Sequence, residues 1–161
     1  MQKIQFTVSV SFEEFKRQNP SANRGVWLEA QCAEHVGHDK NYSGLSASLF
    51  NQKGACDFKK GRSRVECKTF RGALPVKAQK GETREQLIDR WYKMATATRY
   101  CFAWASGRKH DGDNVTALYC TREEARAIVS ATFKPQKDGG LRWDMGPNLF
   151  EMAAEKAVRN L

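Results

Sequence analysis

Asp57-Phe58-Lys59-Lys60-Gly61-Arg62-Ser63-Arg64-Val65-Glu66-Cys67-Lys68 reads as two short strands joined by a tight turn. A two-residue hairpin loop needs positive φ, which glycine supplies, so Gly61-Arg62 is the loop and the register follows from it. Lys60 then faces Ser63, Lys59 faces Arg64, Phe58 faces Val65 and Asp57 faces Glu66. Like charges directly opposite each other destabilise a sheet, so two facing acids make sense with a cation between them. Side chains alternate along a strand, which puts Glu66 and Lys68 on one face and Val65, Cys67 and Thr69 on the other. An acidic pair with a lysine beside it supplies the parts of metal-assisted phosphodiester hydrolysis.

Upstream, residues 23–36 have helical period. Val26, Ala30, Cys32, Ala33 and Val36 fill one arc, and Glu29 falls inside it as the one charged residue among apolar neighbours. Two readings stay open for Glu29: an acid directed at whatever the helix packs on, or an edge acid paired with one of many cations.

On these residues the chain resembles the PD-(D/E)xK nuclease superfamily, which includes restriction endonucleases, Holliday-junction resolvases and phage recombination exonucleases. Asp57 matches the first acid of the family, and Glu66-Cys67-Lys68 matches its E-x-K tripeptide; Cys56 stands where many members carry a proline. Arg24-Gly25-Val26-Trp27-Leu28-Glu29 resembles the family's glutamate-bearing helix. The resemblance covers about residues 23–120 and implies a restriction-endonuclease-like core: a central mixed sheet of four to five strands flanked by helices, in the order αβββαβ. It implies Mg2+, with Mn2+ able to substitute, held by Asp57, Glu66 and the backbone carbonyl of Cys67. It implies Lys68 as the group that orients the attacking water, and Glu29 acting through a water or a second metal. The expected catalytic set is therefore Glu29, Asp57, Glu66 and Lys68, and the expected product ends are 5′-phosphate and 3′-hydroxyl. Two other matches to the tripeptide compete. Glu14-Phe15-Lys16 lies in a helical segment, where its charges do not share a face in the needed way. Asp57-Phe58-Lys59, with Asp39 upstream, ranks second because no strand pattern adjoins Asp39.

Charge fits a polyanionic partner. Lys and Arg total 27 against 18 for Asp and Glu, a net charge of +9, with a pI near 9.5. DNA is the expected partner, contacted by Lys59, Lys60, Arg62 and Arg64 on the hairpin and by Arg71, Lys77 and Lys80 after it. Loops at Arg108-Lys109-His110 and at Lys134, Lys137 and Arg142 add further cations. No run of about eighteen apolar residues exists, so no membrane partner is expected. The alternating Met1 to Val10 reads as a strand rather than a secretory leader. Five cysteines without a Cys-x-x-Cys read as reduced, buried small hydrophobes in a cytoplasmic protein.

The remaining pattern predicts an α/β (α+β) fold in a single domain, 1–161. After the first strand, Ser11 and Glu14 cap a short helix ending before Pro20. Strands follow the polar loop 37–44 at about 45–51, 54–58 and 64–70, then a basic loop. Thr83 caps a helix whose arc of Leu87, Ile88, Trp91, Met94, Ala95 and Thr98 should cover the sheet. Strands at 100–105 and 115–120, a helix from Thr121 to about Ala131, a hairpin at Asp138-Gly139-Gly140, and a helix from Leu149 capped by Asn148 with Glu151 complete the chain. Trp27, Trp91 and Trp104 are expected in the core and Trp143 on the surface. Gln86 reads as a capping residue in preference to a catalytic glutamine, and Cys32-x-x-His35-x-x-His38 lacks a fourth zinc ligand. The chain is thus expected to be a Mg2+-dependent deoxyribonuclease, an endonuclease rather than an exonuclease, and a homodimer if both strands are cut. A non-catalytic basic nucleic-acid-binding protein or a phage-type interaction protein is the alternative.

Overall fold

The computed structural model describes residues 1–37 and 57–161. The expected strand at 45–51, the strand at 54–58 apart from its last two residues, the polar loop beyond Gly37, and Asp39 and Cys56 lie outside the described residues. In chain order the elements are β1 (Gln2–Thr7), α1 (Phe12–Gln18), α2 (Arg24–His35), β2 (Phe58–Lys60), β3 (Ser63–Thr69), β4 (Ala73–Lys77), α3 (Arg84–Met94), β5 (Arg99–Ala105), β6 (Asn114–Thr121), α4 (Arg122–Thr132), β7 (Phe133–Pro135), β8 (Gly140–Trp143) and α5 (Pro147–Arg159). The protein is mixed α and β, and its chain forms two compact units: residues 1–70 with 96–120, and residues 71–95 with 121–161.

The first unit is built on a mixed five-stranded sheet ordered β1-β6-β5-β3-β2. β1 runs antiparallel to β6 and β2 antiparallel to β3, while β3 and β5 are parallel. Parallel neighbours need a crossover of a dozen or more residues, which the chain between Thr69 and Arg99 provides. Alternation then fixes the buried face. Val65 and Cys67 of β3 and Cys101, Ala103 and Ala105 of β5 share one core cluster with Trp27, Ala30, Cys32, Ala33 and Val36 of α2 and its end. Burial on α2 extends beyond the expected arc to Leu28 and Gln31.

Local chemistry holds α2 in place. Asn23 caps it, its side chain accepting from the Val26 N–H at 2.9 Å, and the indole of Trp27 donates to the Val10 carbonyl at 2.8 Å. Both ends lie close to the sheet, and at the carboxyl end the approach demands glycine. A Cβ on Gly25 would stand 3.3 Å from the Thr69 hydroxyl, and one on Gly37 would stand 2.5 Å from the Ala33 carbonyl and 3.0 Å from that of Lys59. The start of α2 is therefore pinned near the end of β3 and its end near β2.

The second unit packs α3, α4 and α5 with a three-stranded sheet ordered β4-β8-β7. β4 occupies what the sequence reads as a basic loop. Pro75 argues against a central strand, but β4 lies at a sheet edge, where a missing N–H is tolerated. α3, expected to cover the sheet, packs on β4 and α4; it ends at Met94, which is exposed. The Arg84 guanidinium donates to the carbonyls of Val129, Ser130 and Phe133, satisfying the carboxyl end of α4. Trp143, expected on the surface, is fully buried, its ring 3.7 Å from that of Phe150 and its N–H on the Met145 carbonyl. α5 begins at Pro147 with Gly146 as its cap, rather than at Leu149 with Asn148. Proline is well suited to that first position because its missing N–H has no helical partner to lose.

Thr121 and Glu124 form a reciprocal capping box at the start of α4. Thr121→Ala should cost about 1 kcal/mol, read as a lower urea midpoint at unchanged slope. Ser11 accepts from the Glu14 N–H, but Glu14 turns its carboxylate to Gln18 and Arg17, leaving that box half made. Among the described residues no helix is long and apolar enough to cross a membrane.

Candidate functional site

The hairpin register predicted from the turn is present: Phe58 pairs with Val65, Lys59 with Arg64 and Lys60 with Ser63. Of the two loop residues only Gly61 has positive φ, at 61°, which is the II′ form with glycine first. The ladder stops at Phe58. Asp57, predicted to face Glu66 across the next rung, instead donates its N–H to the Val65 carbonyl at 2.9 Å. Its Oδ2 accepts from the Cys67 N–H at 2.6 Å. Backbone groups two residues apart on a strand point to the same side, so Cys67 carries the next donor on the edge of β3 that faces β2. Among the described residues the carboxylate takes the place of a continuing strand, and Oδ2 is the oxygen it engages.

Glu66 and Lys68, on the same face of β3, form an ion pair of 2.8 Å with side chains 21 % and 14 % exposed. Asp57 is buried. Burial and then the neighbouring Glu66 push its carboxyl up to about 8. Burial and then Asp57 push Glu29 up to about 9, with Glu66 adding and Lys68 opposing. Burial alone would lower Lys68, but Glu66, Asp57 and Glu29 outweigh it and hold the ammonium charged, its pKa raised. The four residues chosen from the sequence thus act on one another as one electrostatic cluster drawn from α2, the residue before β2, and β3. When all are ionised, three carboxylates against one ammonium leave two negative charges, the charge of one divalent cation. Without such a cation, protons are retained in its place.

Comparison with known proteins finds no matching family model, no matching curated protein and no matching solved structure.

The expected DNA-contacting residues divide. Lys59 and Arg62 are exposed on the hairpin. Lys60 places its ammonium 4.6 Å from the centre of the Tyr119 ring, and Arg64 donates twice to the Thr96 carbonyl, at 2.9 and 2.7 Å. Both cations therefore also brace the first unit. Arg71, Lys77 and Lys80 are exposed and belong to the second unit, where Lys77 lies 3.8 Å from Asp138. Gln86 returns its side chain to the Thr83 N–H at 2.9 Å, which is capping. Phe15 of Glu14-Phe15-Lys16 is buried in α1, as expected of a helical segment. His35 hydrogen-bonds Ser9 at 2.9 Å and stacks on Phe6, engagements separate from Cys32; His38 lies outside the described residues.

One group of residues was missed from the sequence. The Sγ atoms of Cys32, Cys67 and Cys101 all lie within 4.8 Å of one another, and the three residues are 0–1 % exposed. Hydrogen bonds from Cys32 and Cys67 draw the Cys101 thiol down to about 6, while those bonds raise the pKa of both donors. The signal lay in the parallel pairing of β3 with β5, which sets Cys67 beside Cys101.

Proposed function

We propose that this protein is a Mg2+-dependent deoxyribonuclease with a restriction-endonuclease-like core, acting as an endonuclease in the cytoplasm. The observation that carries the reading is the set of buried Asp57 and partly buried Glu29 and Glu66 beside one charged lysine, short by two positive charges when all are ionised. Its donors are oxygens, which suit a hard cation, and among the described residues Asp57 engages the backbone through Oδ2. Asp57, Glu66 and the carbonyl of Cys67 are the residues that would hold Mg2+. When bound, that ion supplies a polarised water and positive charge against the phosphate.

The chain's own groups do the rest. The Cys67 N–H fixes the Asp57 carboxylate, and the ion pair with Glu66 fixes Lys68. Lys68 orients the attacking water and stabilises charge gathering on a non-bridging phosphate oxygen. Glu29 acts through a further water at the edge of the acidic set. Lys59 and Arg62 meet the phosphate backbone beside it, and cleavage of both strands would require two such sites in a homodimer.

The test is a panel of supercoiled, linear, single-stranded and four-way-junction DNA with Mg2+, with Mn2+, and with EDTA. Cleavage with either metal and none with EDTA is the expected result. Salt-dependent binding without cleavage would replace the nuclease with a basic nucleic-acid-binding protein. Arg62→Ala should weaken DNA binding evenly across sequences and lower the salt slope by about 1, as measured by binding titrations at several ionic strengths.

A further inference from the structure

On the face of β3 opposite Glu66 and Lys68, the side chain of Cys67 meets Cys101 of β5 and Cys32 of α2. Three elements distant in sequence bring their thiols together, with every Sγ pair within 4.8 Å. Metal–sulfur bonds of about 2.3 Å around one ion place sulfurs roughly 4 Å apart, so these thiols need only small rotations to share an ion. The residues are 0–1 % exposed, and Trp27, Ala30 and Ala33 belong to the same apolar cluster. A dry pocket of sulfur donors rejects hard, strongly hydrated cations such as Mg2+ and selects soft ones.

We propose that Cys32, Cys67 and Cys101 form a closed three-sulfur site for one thiophilic d10 cation, Cu+ in preference to Zn2+, because closed Zn2+ sites take four ligands. Binding displaces thiol protons to solvent as the metal–sulfur bonds form. Cys32 lies one turn beyond Glu29 on α2, and Cys67 lies between Glu66 and Lys68 on β3, so a filled site ties together the helix and the strand that carry the acids. The site stands independently of the nuclease reading and is read without DNA.

Reduced full-length protein is titrated with Cd2+ under anaerobic conditions, and thiolate-to-metal charge-transfer absorption is followed in the ultraviolet. The expected result is saturation at about one equivalent with the intensity of three thiolate bonds, unaffected by excess Mg2+. Single substitutions Cys32→Ala, Cys67→Ala and Cys101→Ala each weaken binding at least about tenfold, and Cys120→Ala leaves it intact. Cu+ should displace Cd2+ at a lower concentration than Zn2+ does; the reverse order would overturn the three-sulfur assignment. Should an alanine variant fail to fold, the stoichiometry and intensity of the parent protein decide. No charge-transfer band in folded, reduced parent protein, or a band whose affinity and intensity Cys101→Ala leaves unchanged, overturns the proposal and leaves three thiols that only fill the core. Cadmium binding without DNA cleavage would sink the nuclease reading and keep this one; cleavage without cadmium binding would do the reverse.

Discussion

Asp57→Asn leaves supercoiled DNA intact in the presence of Mg2+, its cleavage rate at least about a thousandfold below that of the parent. The amide can still accept from the Cys67 N–H, so the backbone contact that the carboxylate makes at 2.6 Å survives while the charge is lost. The same substitution should stabilise the protein in EDTA at alkaline pH. Asp57 has a folded-state pKa of about 8 against 3.8 for an ordinary carboxyl, and Glu29 about 9 against 4.5. A carboxyl raised on folding holds its proton more tightly in the native state. The associated stability is full below the unfolded values and is lost as pH rises through the folded ones. In EDTA the thermal midpoint of the parent should therefore fall between about pH 5 and pH 9, and Asp57→Asn should flatten that fall. Added Mg2+ should raise the midpoint of the parent more at pH 9 than at pH 6, because the ion must displace those protons to bind. Unchanged cleavage by the variant, or a midpoint equally insensitive to pH in both proteins, would remove Asp57 from the site.

Turn chemistry made the hairpin legible. One glycine with positive φ fixes a two-residue loop, and the loop fixes every rung from Lys60 with Ser63 to Phe58 with Val65. Glu29 was legible for a related reason, since helical period alone places it among apolar neighbours. Short-range rules stop where a strand stops. The turn of Asp57 onto the Cys67 N–H depends on β2 ending at Phe58, which no propensity of the residues before it announces. The thiol trio depends on β3 and β5 being parallel neighbours, and that follows from a crossover of some thirty residues rather than from any local pattern. Trp143 shows the same limit in the other direction. A tryptophan beside a polar turn reads as exposed, yet a helix beginning four residues later stacks Phe150 on its ring. In the sequence β4 reads as part of a basic loop with Lys77 and Lys80; Pro75 is compatible with a strand at an edge position, and edges are identified only once the sheet is assembled.

Lys68→Met should reduce Mg2+-dependent cleavage by about a hundredfold to a thousandfold, the usual loss when one donor to transition-state charge is removed. Methionine keeps most of the aliphatic stem in its partly buried channel, so packing changes little. DNA affinity should remain within about twofold, because only one inward-facing charge is lost while the exposed Lys59 and Arg62 persist. The variant also separates two roles for the ammonium. Lys68 lowers the pKa of Glu29 and of Asp57, so its removal pushes both acids further upward and makes the metal-free protein less stable at alkaline pH. If the lysine serves only to neutralise the acids, saturating Mg2+ takes over that task and cleavage returns to the parental rate. If it acts on the water and the phosphate, the loss persists at saturating metal while the midpoint recovers. The second outcome is the one the proposed nuclease reading requires, since the ammonium is held charged and its side chain is 14 % exposed.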